Sequence, residues 1–293
     1  MILIFGSINA DLIVPVPNLP QPGQTVLGGS YSLLPGGKGA NQALAACRAG
    51  GAVMLAGAIG RDGFAAAALS SLGSDGVDMR LVRDLELPTG CAIIMVSAGG
   101  ENAIAVAPGA NLAVQSGWVP DELLRPDTIL VTQLEVPVCE TQALIRRARQ
   151  RGGRCLLNLA PALPIDFELL PDIDLLVANE SEAATLPADP PGIAGRLRQA
   201  LVVTRGAAGA SAFLHNGSRL DVPALAIEPV DTTGAGDTFV GVLAASLDLG
   251  VSFEAGLRRA SAAAGLACLG RGAQTAMPGA AAIDSAVADL AEN

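Results

Sequence analysis

From residue 128 onward the chain alternates short apolar runs with stretches of helical periodicity, and nothing else in it limits the fold so strongly. Residues 128–132 read as a strand, 137–150 as a helix, 154–158 and 173–177 as strands, 180–186 and 192–199 as helical, and 201–204 and 209–214 as strands. The first half begins in the same way, with strand 2–6, helix 40–50, strand 53–58, helix 64–73 and a strand-like piece near 77–83. Three helices close the chain near 235–248, 252–268 and 279–291. Strands separated by helices of about 10–15 residues are βαβ units on a parallel sheet, so the expected class is α/β. The stretches 12–34 and 91–106 break the pattern, being polar and glycine-containing. They are expected to form a small separate sheet, placed as a lid.

Such a fold needs a large core, and 51% hydrophobic residues supply one. Aromatics are only 3%, so Ala, Leu and Val must do the packing at short distances. The 18 basic residues against 28 acidic ones give a net charge of −10, a poor match for a nucleic-acid backbone. The five cysteines (47, 91, 139, 155 and 268) are widely spaced and include no CxxC pair, as for reduced thiols in a core. No basic segment or long apolar run precedes Ile2, and 260–269 is too short to span a bilayer. The expected setting is the cytoplasm, with neither membrane nor nucleic acid as partner.

The most specific stretch is Asp231-Thr232-Thr233-Gly234-Ala235-Gly236-Asp237-Thr238-Phe239, between the strand-like segment 222–230 and a helix of small and apolar residues. Gly234 and Gly236 permit a sharp turn and a close approach to a ligand. Unpaired N–H groups of the first helical turn would face that ligand, and Asp237 in the same turn has the chemistry to take a proton from a hydroxyl. On spacing alone the segment reads equally as an Asx-type turn with a helix cap. It is not a Rossmann fingerprint, which needs a third glycine and an early βαβ position, and Gly37-Lys38 is no Walker A loop, being followed by Gly39 with Ser32 where a glycine is needed. Near strand 173–177, Asn179-Glu180-Ser181-Glu182 reads alone more readily as a helix cap with an acidic first turn. At the end of the first strand, Asn9 and Asp11 offer the paired donors and acceptors that a polyol needs, though an ordinary polar loop has the same composition. The one histidine, His215, lies in a turn sequence, His-Asn-Gly, so a general base is left to the carboxylates.

These motifs together resemble the ribokinase family, the PfkB-type carbohydrate kinases, from Ile2 to about Pro278. Asp231 to Asp237 matches that family's DTxGAGD segment. The resemblance implies a three-layer α/β/α fold with a mostly parallel central sheet and a small β-sheet lid, in one kinase domain over residues 1–293. It implies Asp237 as catalytic base, with Gly234, Ala235 and Gly236 providing anion-hole amides. Asn179 and Glu182 match the NxxE signature that organises Mg²⁺ and phosphate through water. Thr204 and Gly206 match a nucleotide-contacting turn, and Ser261 a position near the adenine of ATP. The family's potassium activator would be held by Asp231, Thr233, Ala267, Gly270 and Gly272. Ala276 departs from that set, standing where a serine oxygen is expected.

At the other end, GSINAD, GGKGANQA, the stretch from Gly100 to Asn111 and Gln133-Leu134-Glu135 resemble the ribose-phosphorylating members. The resemblance assigns Asn9, Asp11, Gly37, Asn41 and Glu135 to sugar hydroxyls, with Lys38 beside them. It implies ATP-dependent phosphorylation of ribose at O5, and a homodimer formed through the lid. The alternatives are a kinase of another small sugar or of a nucleoside, or a silent sugar-binding protein. Few aromatics are available to stack on a nucleobase. Asn158-Leu159-Ala160-Pro161 departs from the family in lacking a proline directly after its asparagine.

Overall fold

Four consecutive apolar side chains leave β1 (Ile2–Phe5) without a polar face, and all four are buried. Such a strand belongs mid-sheet with cover on both sides. It pairs in parallel with β4 (Val53–Gly60) and β8 (Ile129–Thr132). The computed structural model describes residues 1–291. Beyond β4 the sheet ends at β5 (Asp78–Leu85). Beyond β8 it continues through β9 (Arg154–Asn158), β10 (Leu175–Asn179), β11 (Ala200–Thr204), β12 (Ala210–Leu214) and β13 (Arg219–Val222), giving nine strands. Pairing is parallel from β5 to β11 and antiparallel only at β12 and β13.

Alternation along β1 splits the core in two. Ile2 and Ile4 face a cluster that includes residues of α1 (Lys38–Arg48), α2 (Ala65–Asp75), α6 (Ala235–Asp248), α7 (Phe253–Ala267) and α8 (Ala280–Ala291). Leu3 and Phe5 face a second cluster with α3 (Val138–Gln150) and α5 (Pro190–Ala194). The result is the three-layer α/β/α arrangement. The scarcity of aromatics shows in how α1 meets α6. A Cβ built on Gly241 of α6 would lie 2.5 Å from the carbonyl oxygen of Gln42 and 2.8 Å from Ala45 Cβ. Only a glycine lets these two helices approach so closely.

A second sheet has four strands in the order β3 (Ser32–Gly36), β2 (Asn9–Val16), β6 (Gly90–Ser97), β7 (Asn102–Ala107). The β2–β6 pairing is parallel and the other two are antiparallel. It is the small sheet expected from 12–34 and 91–106, with one correction: within 12–34, strand is confined to β2, which ends at Val16, and to β3, which begins at Ser32. Gly29 N–H still reaches the Pro15 carbonyl of β2, one residue out of the β2–β3 register.

Three other boundaries shift. The helix expected over 192–199 is only Pro190–Ala194, capped by Asp189, because Arg198 and Gln199 give their N–H groups to Ile173 and Asp174 and lead into β11. The helix expected over 180–186 shortens to α4 (Glu180–Ala183). The strand-like 222–230 ends at Val222, before Pro223, which has no N–H for a ladder.

Candidate active site

The N-terminus of α6 is set by Gly234, whose φ of 76° lies in the left-handed region. A Cβ there would also sit 2.8 Å from Ala273 Cβ, so both backbone and space require glycine. Asp237 follows in the first turn and is buried, with 6% of its surface exposed. Its carboxylate is gripped from α1. Asn41 Nδ2 donates to Oδ2 at 2.9 Å, and Gln42 Nε2 donates to Oδ1 at 2.9 Å. Gln133 Nε2 donates in turn to Gln42 Oε1 at 2.6 Å, and Gln274 Nε2 to Asn41 Oδ1 at 3.0 Å.

The residues expected at the sugar end come together around this carboxylate. Glu135 Oε2 accepts from Ser7 Oγ at 2.5 Å and from the Lys38 backbone N–H at 3.1 Å. Asn9 Oδ1 accepts from Asn111 Nδ2 at 2.8 Å, while Asn111 also clamps the Ile8 backbone. Asn9 therefore has its own amide N–H groups to offer. Gly37, which precedes α1, packs against the Asn9 backbone. Burial first, then the charges of Glu135 and Asp237, push the Asp11 carboxyl from its ordinary 3.8 up to about 6. Lys38 is the one lysine of the chain. The Asp237 charge raises its pKa most; burial opposes this, and Glu135 and Glu182 assist it, so the ammonium is retained.

Two cavities lie beyond Asp237. One, about 200 Å³, is lined by Lys38, Asn158, Asn179, Glu182, Gly234 and Asp237 among others. The next, about 230 Å³ and mainly apolar, takes in Gly206, Leu225, Ile227, Ala235, Ser261 and Cys268. Thr204 and Gly236 line both, so the cavities adjoin there. Their sequence suits a nucleoside triphosphate, with the base in the apolar cavity and the phosphates running toward Asp237.

Asn179 and Glu182 form the helix cap read from the sequence. Asn179 Oδ1 accepts from Glu182 N and Glu182 Oε2 from Asn179 N, each at 2.8 Å, while both residues line the polar cavity. The Ser261 hydroxyl donates to the Pro223 carbonyl at 2.6 Å, so it shapes the wall rather than pointing freely at a base.

Behind the turn at Gly234, Asp231 joins two loops. Its Oδ1 accepts from Thr233 N and Oγ1 at 2.9 and 2.6 Å, and its Oδ2 from Gly272 N at 2.8 Å. Burial opposes the charge on Asp231, but these hydrogen bonds and Arg271 prevail and hold its carboxyl below the ordinary value. The Cys268 carbonyl, next to Ala267, accepts from Val230 N at 2.8 Å. Ala276 lies against Gly270, where a Cβ would meet the Ala276 methyl at 2.8 Å. The segment is braced by Arg48, whose Nη1 donates to the carbonyls of Gln274 and Met277 at 2.7 and 3.1 Å.

Sequence reasoning left the roles of Gln42, Gln133, Gln274, Asn111 and Ser7 undefined. All but Gln274 stood inside motifs already noted, but their partners are distant in sequence and no spacing rule joins them.

A family model described as pfkB family carbohydrate kinase matches residues 1–280. Ribokinase from Bacillus subtilis is 35% identical over 282 residues, covering 94% of this chain and 96% of that protein. The crystal structure of ribokinase from Thermotoga maritima matches with a TM-score of 0.91 at 27% identity, over 100% of this chain and 99% of that one. The structure of Arabidopsis thaliana ribokinase complexed with ribose and ATP gives a TM-score of 0.88 at 29% identity, over 98% of each chain.

Proposed function

The chain belongs to the pfkB family of carbohydrate kinases, and from that premise we infer that it phosphorylates D-ribose with ATP, giving D-ribose 5-phosphate and ADP. The observation that carries this reading is the meeting of two sets of groups at one carboxylate. Asn9, Asp11 and Glu135, with Gly37 and Asn41, supply hydroxyl-binding groups on one side of Asp237. The α6 N-terminus and the polar cavity supply phosphate-binding groups on the other.

In this reading Asp237 takes the proton of the ribose O5 hydroxyl as that oxygen attacks the γ-phosphorus. The amides of Gly234, Ala235 and Gly236 stabilise the charge that builds on the transferring group. The Lys38 ammonium adds a positive charge at the same point. Thr204 and Gly206, with the wall at Ser261, hold the nucleotide.

Among the described residues, no three His, Cys, Asp or Glu side chains cluster as a metal cage. A carboxylate at Glu182 and the Asn179 amide beside a phosphate cavity nevertheless fit Mg²⁺, which prefers oxygen and retains water. Mg²⁺ there would offset negative charge on the β- and γ-phosphates. Asp231, Thr233 and the carbonyl groups of Ala267, Gly270, Gly272 and Ala276 are the donors proposed for K⁺, with Ala276 offering its backbone alone. The lid sheet is proposed to pair with that of a second copy. No described helix is long and apolar enough to cross a membrane, and dependence on ATP fits action in the cytoplasm.

ADP formation from ATP, followed across ribose, 2-deoxyribose, fructose and adenosine, tests the reading. Ribose is expected to give the highest kcat/KM, and a preference for adenosine or a lack of turnover with any of them would overturn it. Asp237→Asn should lower kcat by about 10²–10⁴-fold with nucleotide binding retained. Tetramethylammonium in place of potassium, at matched ionic strength, should slow the same assay; equal rates would remove the ion from the scheme.

A further inference from the structure

The carboxylate of an aspartate rotates easily, because its terminal torsion is broad and roughly two-fold. A base with that freedom spends part of its time with its lone pairs turned away from the substrate. In this protein each oxygen of Asp237 meets a separate side-chain amide, Gln42 at Oδ1 and Asn41 at Oδ2. An ionised carboxylate only accepts, so both amides must present their NH₂ ends. That choice propagates outward. Gln42 turns its oxygen to Gln133 Nε2, and Asn41 turns its oxygen to Gln274 Nε2.

Both arms end in the same way. Gln133 Oε1 and Gln274 Oε1 are buried acceptors without a partner. An unpaired buried oxygen costs free energy that an apolar side chain of the same shape would not. Two such oxygens, each at the far end of an arm directed onto the same carboxylate, mark the polarity of the arms as the feature being kept. Gln42 and Gln133 are each 0% exposed, so substrate does not reach them. Any effect they have on turnover passes through Asp237.

We propose that Gln42, held in its orientation by Gln133, is a positioning residue that fixes the rotation of the Asp237 carboxylate toward the sugar hydroxyl. The proposal rests on the reading of Asp237 as the base. Its two members work in series, since Gln133 acts only by orienting Gln42.

Gln42→Met and Gln133→Met keep the length and remove the amide. With ribose and ATP, Gln42→Met should lower kcat by about 10–100-fold, the scale of a misplaced reacting group, with both KM values within about two-fold of wild type. Gln133→Met should lower kcat less, and the double variant should be no slower than Gln42→Met alone. In an Asp237→Ala background, single-turnover rates should be the same with and without Gln42→Met. ADP affinity and thermal midpoint report whether each variant is folded. Should Gln42→Met not be recovered folded, Gln133→Met decides by itself: a reduced kcat at unchanged KM supports the proposal, and a wild-type kcat overturns it. A wild-type kcat in Gln42→Met, multiplying losses in the double variant, or the same fold-loss without Asp237 would each overturn it too. If Asp237→Ala itself keeps wild-type turnover, the assignment of the base fails, and that result is read from a different variant.

Discussion

The charge of Asp11, proposed to serve the sugar, is costly to the fold. Its carboxyl titrates at about 6 in the folded protein against an ordinary 3.8, chiefly through burial and then through Glu135 and Asp237. Between those two values the folded chain keeps a proton that the unfolded chain has released. The contribution of Asp11 to stability is therefore complete below 3.8 and lost as pH rises through about 6. A displacement of this size corresponds to about 3 kcal/mol at neutral pH. Asp11→Asn keeps the shape and removes the charge, so it should raise the thermal midpoint, and more at pH 8 than at pH 5. The same variant should bind ribose more weakly, because an amide offers one acceptor oxygen where the carboxylate offers two. In the wild type, the KM for ribose should climb as pH falls below about 6, when Asp11 takes up its proton. Melting curves at the two pH values and a pH series of KM check both halves. A midpoint gain that ignores pH would separate Asp11 from the proposed cost.

At the scale of elements, the order of strands and helices was readable because each apolar run is complete in itself: Ile2–Phe5 needs no partner to announce a buried strand. The turn at Gly234 and the carboxylate of Asp237 in the helical turn after it were readable for the same reason, being one continuous segment. The amide arms were not. Gln42 and Gln133 stand 91 residues apart, and Gln274 is 233 residues from Asn41. Glutamine has no spacing signature, and it is the packing of α1 on α6 that brings these side chains into line. Residues 24–34 read as strand-like with an interruption at Gly28-Gly29, yet β3 begins only at Ser32, and Gly29 meets Pro15 of β2 one residue out of register. Gly241 is the hinge of the α1–α6 packing. Gly241→Ala would place a methyl within 3 Å of Gln42 O, Ala45 Cβ and Ala46 N, and should cost about 1–3 kcal/mol as overpacking. Because Asn41 and Gln42 ride on α1 and Asp237 on α6, kcat should fall with it. Chemical denaturation beside steady-state kinetics measures both. A variant with lowered stability and wild-type kcat would uncouple the helix contact from the carboxylate.

For the whole molecule the lid sheet raises the question of what covers it. Register places Ala92 opposite Asp11 and Val106 opposite Ala92, and likewise Ile94 opposite Ile13 and Ile104 opposite Ile94. Asp11, Ile13, Ile94, Ile104 and Val106 therefore share one face, so the side that bears the Asp11 carboxylate continues outward as an apolar strip. Ile104 and Val106 are 57% and 51% exposed. An apolar strip next to a polar binding group suits cover by another surface of the same kind, and β3 and β7 leave edges able to pair. A second copy meets both needs, and the proposed dimer would shut water away from the sugar during transfer. Ile104→Glu is the direct test. Across a two-fold interface it sets two negative charges near each other in a chain already at −10. Sedimentation velocity should find wild type as a dimer and the variant shifted toward monomer. The KM for ribose should rise in the variant while that for ATP, bound on the far side of Asp237, stays near wild type. A monomeric wild type, or a variant that sediments and binds ribose as the wild type does, would show that the apolar strip is not a contact between copies.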